Sequence, residues 1–459
     1  MERRPTGTDE GSSGVSDAMR FRLLPSLLWF LFLAWLLLQV AFFLSLAERG
    51  QAPIDYLPYQ RGAEAIERGK SPYLPPAQSR EIFRYFHQIE TDLLAANARG
   101  EGRAFLNDLA ARPQQPGPYV YPPTLALVVG QLHLSPQVFT GLLLLSILGF
   151  VALWFNVTKA HSGWLLLVIG SRDVLATLHG GNVELMLLFF TLLAARLLWD
   201  QRGILAAPLI ALVLLIKPFY ALFFVAFLVL QGLSPVAGKG LAPRSLIVPG
   251  LVMLVLTTAE IYRWGSVLRA ETLGFYLNAS DHLWISLPVS EQSPLSAWSR
   301  TPMQGLINMA VPVPLAQALA LGLWMLFGGV TLWRARKVSL SFPMVFALAL
   351  TLIYWGRPAG YGFNYLELVM ATVVWPCLRG WQKPVFLTML AGVMASRWWA
   401  FLETLRGESM SLLTLQTASF PWETWLVLPL SWLLMLRVTA MHSRNSKSPR
   451  GPSKHKSSS

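Results

Sequence analysis

The segment Asp55-Tyr56-Leu57-Pro58-Tyr59-Gln60-Arg61-Gly62-Ala63-Glu64-Ala65-Ile66-Glu67-Arg68-Gly69-Lys70-Ser71-Pro72-Tyr73 follows the apolar run Leu23–Ala47 by only a few residues. That run is long enough to span a bilayer with some tilt. Asp55 is therefore placed just outside the membrane, at headgroup level. Tyr59, Ala63 and Ile66 recur at spacings of four and three, which predicts a short helix. Gly69 reads as its C-cap, and Ser71-Pro72 as its stop. Two readings of Asp55 are open. It is an acidic residue beside a helix start, where Asp is favoured as a cap, or it is a candidate catalytic base held at the membrane surface by a packed helix.

Outward from this segment, the chain reads as an all-α polytopic membrane protein. Of 459 residues, 54% are hydrophobic and 13% charged, and apolar runs of helix length recur. The alternating strands of a membrane β-barrel are not evident. The net charge of +13 does not point to nucleic acid. Lys and Arg gather in short loops and in the C-terminal tail, where positive charge sets membrane orientation. The single cysteine, Cys377, excludes an intramolecular disulfide and a Cys-based metal site. The histidines are scattered without ligand spacing. A phosphate-binding Gly loop, a Gly-x-Ser-x-Gly elbow and a nucleotide-binding Gly cluster are absent from the sequence. Neither a metal nor a cofactor is expected.

Taken in order, residues 1–22 read as a disordered cytoplasmic segment and Leu23–Ala47 as a retained helix rather than a signal peptide. Residues 48–120 form a polar loop too long to be a mere connection. Within it, Arg80–Asn97 carries Ile82, Phe83, Phe86, Ile89, Leu93 and Leu94 on one face, the pattern of a helix lying along the membrane surface. Further apolar runs give about twelve crossings of about twenty residues or fewer, with a short or re-entrant piece at 164–176 and a break at Lys217-Pro218. A second large loop covers 263–311. Both loops fall outside and both termini inside, which agrees with the placement of Arg196, Arg202, Arg334, Arg336, Lys337, Arg379 and Lys383 in inner loops. One membrane domain thus covers 23–440, followed by a basic, disordered tail at 441–459 that suits anionic lipid headgroups.

Under this topology the polar residues that interrupt apolar runs gather at the outer edge. Ionisable groups in membrane segments face a cavity or a partner. Ser171-Arg172-Asp173, followed by His179-Gly180-Gly181-Asn182-Val183-Glu184, is the richest group. Arg172 suits a phosphate, and Asn182 and Glu184 suit sugar hydroxyls. A buried pair of Arg172 with Asp173 or Glu184 that fixes helix packing is the structural alternative. Lys217 before Pro218 either snorkels to headgroups or meets an anion.

These residues carry a resemblance. Asp55 after the first membrane helix, then Tyr59, Ala63, Gly69 and Pro72-Tyr73, resembles the first external loop of GT-C glycosyltransferases, with glycosyltransferase family 87 the closest. Tyr119-Val120-Tyr121-Pro122-Pro123, Lys217-Pro218 and the second-loop residues Gln292, Ser293 and Arg300 are similar to elements of that family. Gly180-Gly181-Asn182 matches its Gly-Gln-x-Asn-like motif only in part. Phe363 and Asn364 stand where members often carry paired histidines. The resemblance implies a GT-C bundle and transfer of a hexose, mannose by analogy, from a polyprenyl-phosphate donor to a lipid or glycan acceptor outside the membrane. It implies Asp55 as the base, Tyr59 and Tyr73 beside the substrate, and Arg172, Lys217 and Arg300 on the donor phosphate. A transporter or flippase of lipid-linked sugars, and an inactive relative of these enzymes, are the rival expectations.

Overall fold

The computed structural model describes residues 13–112, 116–233, 311–356 and 364–406, with isolated positions between 250 and 306. Among the described residues there are helices and no strand. Helix α1 (Ser13–Glu48) starts ten residues before the apolar run, within the segment expected to be disordered. Three helices follow within residues 48–120: α2 (Tyr56–Glu67), α3 (Pro76–Ala98) and α4 (Gly102–Ala111). Then come α5 (Pro123–Gln131), α6 (Pro136–Thr158), α7 (Leu165–Ile169), α8 (Arg172–Gly180), α9 (Glu184–Trp199), α10 (Gly203–Ile216) and α11 (Tyr220–Leu233). The remaining helices are α12 (Val313–Ala335), α13 (Phe342–Gly356), α14 (Leu366–Val374) and α15 (Gln382–Arg406).

Among the described residues, Pro25–Glu48, Pro136–Thr158 and Pro314–Ala335 are long and apolar enough to cross a membrane. The pair α8 and α9 makes a fourth if its two parts, bent by 114°, form one span. The expected crossings at about 245–262 and 421–438 fall largely outside the described residues, and the rest of the difference from about twelve crossings has a physical source. A crossing needs about twenty apolar residues, and several runs are cut short. Backbone breaks at Lys217 (φ −137°, ψ 90°) and at Gly181 (φ 74°) leave α10, α11 and α8 too short to cross alone.

Helix α1 buries Leu28, Phe32, Leu36 and Phe43 and turns Leu27, Phe30, Leu37 and Leu38 outward. An apolar face on each side of a long helix is what contact with both a protein core and lipid demands. The core's centre is α13, in which every residue from Val345 to Trp355 is buried. Around it, Trp154 of α6 donates its indole N–H to Thr372 Oγ1 of α14 at 2.8 Å.

Two features define helix α2. Helix α2 lies hard against α5 because the crossing is made of small residues. A Cβ on Gly62 would come 3.1 Å from Ala126 Cβ, and one on Gly130 would come 3.0 Å from Ala63 Cβ. Helix α2 ends as predicted. Gly69 takes φ 69°, its N–H reaches the Ile66 carbonyl at 2.9 Å, and the Lys70 N–H reaches Ala65 at 2.8 Å. This pair of bonds is a Schellman ending, which needs a residue free to adopt positive φ.

Candidate active site

Asp55 occupies the N-cap position of α2, with φ −78° and ψ −17°, yet its side chain makes no capping hydrogen bond. The capping reading of this residue therefore does not account for its carboxylate. Its backbone N–H instead donates to the Gly180 carbonyl at 2.7 Å, one of the terminal carbonyls that α8 cannot satisfy internally. Its Oδ2 accepts from the Asn182 side-chain amide at 2.9 Å. Asp55 is thus held by the far end of α8, not by the helix it begins.

The end of α8 explains why Gly180-Gly181-Asn182 is needed there. The Gly181 N–H bonds to Leu178 at 3.0 Å and the Asn182 N–H bonds to Thr177 at 2.9 Å, again a Schellman ending. Gly181 adopts φ 74°, and a Cβ on it would lie 2.4 Å from Pro53 Cβ. Only glycine fits this backbone at this distance. The ending delivers Asn182 as the first residue beyond the helix, directly opposite Asp55.

The Asn182 amide is oriented by chemistry rather than by choice of fit. Its Oδ1 faces two groups that only donate: the Glu184 backbone N–H at 3.0 Å and Lys217 Nζ at 3.4 Å. The NH2 group must then point to Asp55, and it also lies 3.3 Å from the Tyr121 hydroxyl. Lys217 reaches this place because α10 stops at Ile216 and the backbone extends through Lys217 before Tyr220 restarts a helix. Its ammonium pairs with Glu184 Oε2 at 2.5 Å. The other oxygen, Glu184 Oε1, accepts from the Tyr220 hydroxyl at 2.7 Å. Both members of the pair are mostly covered, with 13% of the Lys217 side chain and 5% of the Glu184 side chain exposed. A pair so buried needs each remaining lone pair and proton satisfied, and Tyr220 and Asn182 serve that need.

An aromatic wall closes one side. Tyr59 is fully buried and Tyr73 nearly so. The Tyr59 ring stands edge-on to Tyr121 with centroids 5.2 Å apart, and the Tyr73 hydroxyl donates to the Tyr121 carbonyl at 2.8 Å. Both tyrosines therefore support Tyr121 rather than front the site. Tyr121 itself is only partly buried, and Lys217 Nζ stands 5.3 Å from its ring centroid. It is the site residue that the sequence reading passed over as part of a motif. No sequence signal singles it out, since alternation would set Tyr119 and Tyr121, two residues apart, on the same face.

Burial pushes the Asp55 carboxyl above the usual aspartate range, while the Asn182 hydrogen bond and the charge of Lys217 pull it part of the way back. The residue as a whole is only partly buried. This is the setting in which a carboxylate becomes a stronger base than it is in water.

The other expected residues divide sharply. Arg172 starts α8, and eight rises of about 1.5 Å put it about 12 Å along the axis from Gly180. It lines a small cavity with Leu167, Gly170, Ser171, Glu367 and Met394, away from the Asp55 cluster. Glu184 pairs with Lys217. Asn364 is buried. It accepts from Thr177 Oγ1 at 2.9 Å and, through its carbonyl, from the Tyr354 hydroxyl at 3.1 Å, so it fastens α8 to α13. Gln292, Ser293, Arg300 and Phe363 lie outside the described residues. Among the described residues no group of three or more His, Cys, Asp or Glu side chains is placed to hold a metal ion. The chain matches no protein-family model, no curated protein and no solved structure.

Proposed function

We propose that the protein is an integral membrane glycosyltransferase of GT-C type that moves a hexose from a polyprenyl-phosphate donor to an acceptor hydroxyl at the outer membrane face. The observation that carries this reading is the Asp55 carboxylate. It occupies a cap position without capping, takes one directed hydrogen bond from Asn182, and is held above the usual aspartate range by burial. The resemblance of the first outer loop to glycosyltransferase family 87 supports the same assignment. A bundle of about twelve crossings, each of about twenty residues or fewer, belongs to this proposal, as does the outward orientation of the site.

The reaction follows from this placement. The acceptor O–H gives its proton to Asp55 as its oxygen forms a bond to the sugar's anomeric carbon. The bond from that carbon to the phosphate oxygen breaks, and its electron pair leaves with polyprenyl phosphate. One displacement inverts the anomeric centre. Positive charge near the leaving phosphate stabilises what develops there; the family resemblance assigns Arg300 that task and makes Gln292 and Ser293 substrate contacts. Tyr121 and Asn182 border the space in which the acceptor hydroxyl meets Asp55. Purified protein should release free polyprenyl phosphate from labelled polyprenyl-phosphate mannose when acceptor lipids or glycans are supplied. No release across a panel of sugars and acceptors would remove the proposal.

One observation favours a second reading. The chain is bent by 114° between α8 and α9, and the Asp55 cluster lies at that bend. Broken helices at a polar site are common in transporters. A flippase of lipid-linked sugars would move labelled lipid between leaflets of a vesicle without releasing polyprenyl phosphate.

A further inference from the structure

The Lys217–Glu184 pair is the largest charge feature of the site, and neither member is disposed as a simple ligand. Glu184 commits one oxygen to Lys217 and the other to Tyr220. Lys217 directs two of its three donors at Glu184 and at Asn182 Oδ1. The Glu184 backbone N–H holds the same Asn182 oxygen at 3.0 Å. Two of these bonds end on one amide oxygen, and the other end of that amide touches Asp55.

We infer that Lys217 and Glu184 act as one positioning couple. They fix the Asn182 amide against Asp55 and set the local field in which Asp55 takes a proton, instead of binding donor phosphate and sugar hydroxyls. This rests on Asp55 being the base. The couple has a physical logic. A lone lysine this close would hold Asp55 ionised and weaken it as a base, and a lone glutamate would keep it protonated. Paired, they leave the directed hydrogen bond of Asn182 as the main local influence besides burial. The other titratable groups facing Asp55 are Tyr59 of α2 and Tyr121 before α5. Phenols titrate ordinarily near about 10, so both stay neutral over the range that matters.

The two charges predict shifts of opposite sign. Glu184→Gln leaves Lys217 uncompensated and should move the protonation midpoint of Asp55 to lower pH. Lys217→Met leaves Glu184 uncompensated and should move it to higher pH. Each shift should be roughly one pH unit, and the double variant should fall between the single ones. The readout is carbodiimide modification of Asp55, which consumes the protonated carboxyl, measured by mass spectrometry across pH on the full chain in lipid discs. Should Lys217→Met fail to insert, Lys217→Gln keeps a donor without the charge and tests the same shift. Two shifts of the same sign, or none, would overturn the couple. So would a Lys217 variant whose only change is a raised KM for donor, since that marks a phosphate ligand. Modification reports on Asp55 whether or not sugar is transferred. Opposite shifts in a protein that transfers nothing would leave the couple standing and remove the transferase reading, and transfer without shifts would do the reverse.

Discussion

Helix α8 has two polar ends, and they do different things. Its first turn carries Ser171, Arg172 and Asp173. There the Ser171 hydroxyl caps the helix by accepting from the Val174 N–H at 3.3 Å, Asp173 is buried, and the indole of Trp398 donates to the Gly170 carbonyl at 2.6 Å. These contacts fasten the start of the helix to its neighbours. Its last turn ends in Gly181 and Asn182, and those hold Asp55. In sequence the two groups read as one run of unusual residues inside an apolar region. In space a helix of nine residues keeps them apart. Proximity along a chain says little about a shared site once a rigid element intervenes, because each residue advances the axis by about 1.5 Å.

The sharpest way to break this contrast is Asp55→Asn. Asn keeps the shape and can still accept from Asn182, but it cannot take a proton at neutral pH. General-base catalysis contributes about 10²- to 10⁴-fold, so transfer should fall at least roughly a hundredfold while donor binding persists. Stability should move the other way. Since burial raises the Asp55 pKa, the folded protein favours the protonated form. That contribution is complete below the unfolded value of about 3.9 and is lost as pH rises through the folded value. The neutral Asn variant should therefore melt no lower than the parent at pH 7. For the same reason the acid limb of the wild-type transfer rate should lie above the ordinary aspartate range. An active Asn variant would shift the search for a base to Asp173 at the other end of α8.

The next effect in size belongs to Lys217→Ala. Removing one member of a buried pair strands the other, which typically costs about 3–5 kcal/mol of stability. Transfer by the folded fraction should fall about ten- to a hundredfold. Thermal unfolding and single-turnover rates, taken together, separate the two losses. A variant as stable and as fast as wild type would mean that the lysine is only a membrane anchor and that Glu184 needs no partner.

How much of this was readable in the chain follows from what each signal depends on. The α2 helix, its Gly69 ending and the Lys217 break were legible because local backbone rules govern them: a periodic apolar face, a positive-φ glycine and a proline. Helix α3 was legible for the same reason, within a few residues at each end. Asp55 was visible as an oddity but not as a partner of Asn182, because that contact spans two distant segments and no periodicity encodes it. Glu184 was named, but its pair with Lys217 was not foreseen, since that lysine arrives from another helix. The count of crossings was the least legible feature. Apolar content marks a run as buried without saying whether it faces lipid or protein, and α13 is apolar because it lies at the centre of the core.

A smaller effect tests the last turn of α8 itself. In Gly181→Ala the new methyl would lie 2.4 Å from Pro53 Cβ, at a φ of 74°. Pro53 is ring-locked and precedes Asp55 by two residues, so relief of the clash must displace the segment that carries the base. A strained backbone of this kind costs on the order of 1–3 kcal/mol, and transfer should fall roughly tenfold through the misplaced carboxylate. Gly180→Ala is the gentler control, since its Cβ would meet Asp55 Oδ2 at 3.4 Å, an ordinary contact.

The smallest expected effect is at the opposite end, and it decides whether the contrast is real. Arg172→Gln removes a cation that suits a phosphate as well as any in the chain. If Arg172 and the Asp55 cluster served one donor, its loss should match that of a charged hydrogen bond, about ten- to a hundredfold. The structure argues for less. To lie against a phosphate on a sugar attacked beside Asp55, Arg172 would have to reach from a backbone position about 12 Å away along α8. Arg172 instead borders Glu367 and Met394, on helices that anchor the start of α8. Arg172→Gln should therefore change single-turnover transfer by less than about threefold, well under the cost of a charged hydrogen bond, and leave the KM for donor unaltered. What it loses should show in heat stability. A donor KM raised tenfold in a variant that melts normally would join the two ends of α8 into one site, and the division between them would be wrong.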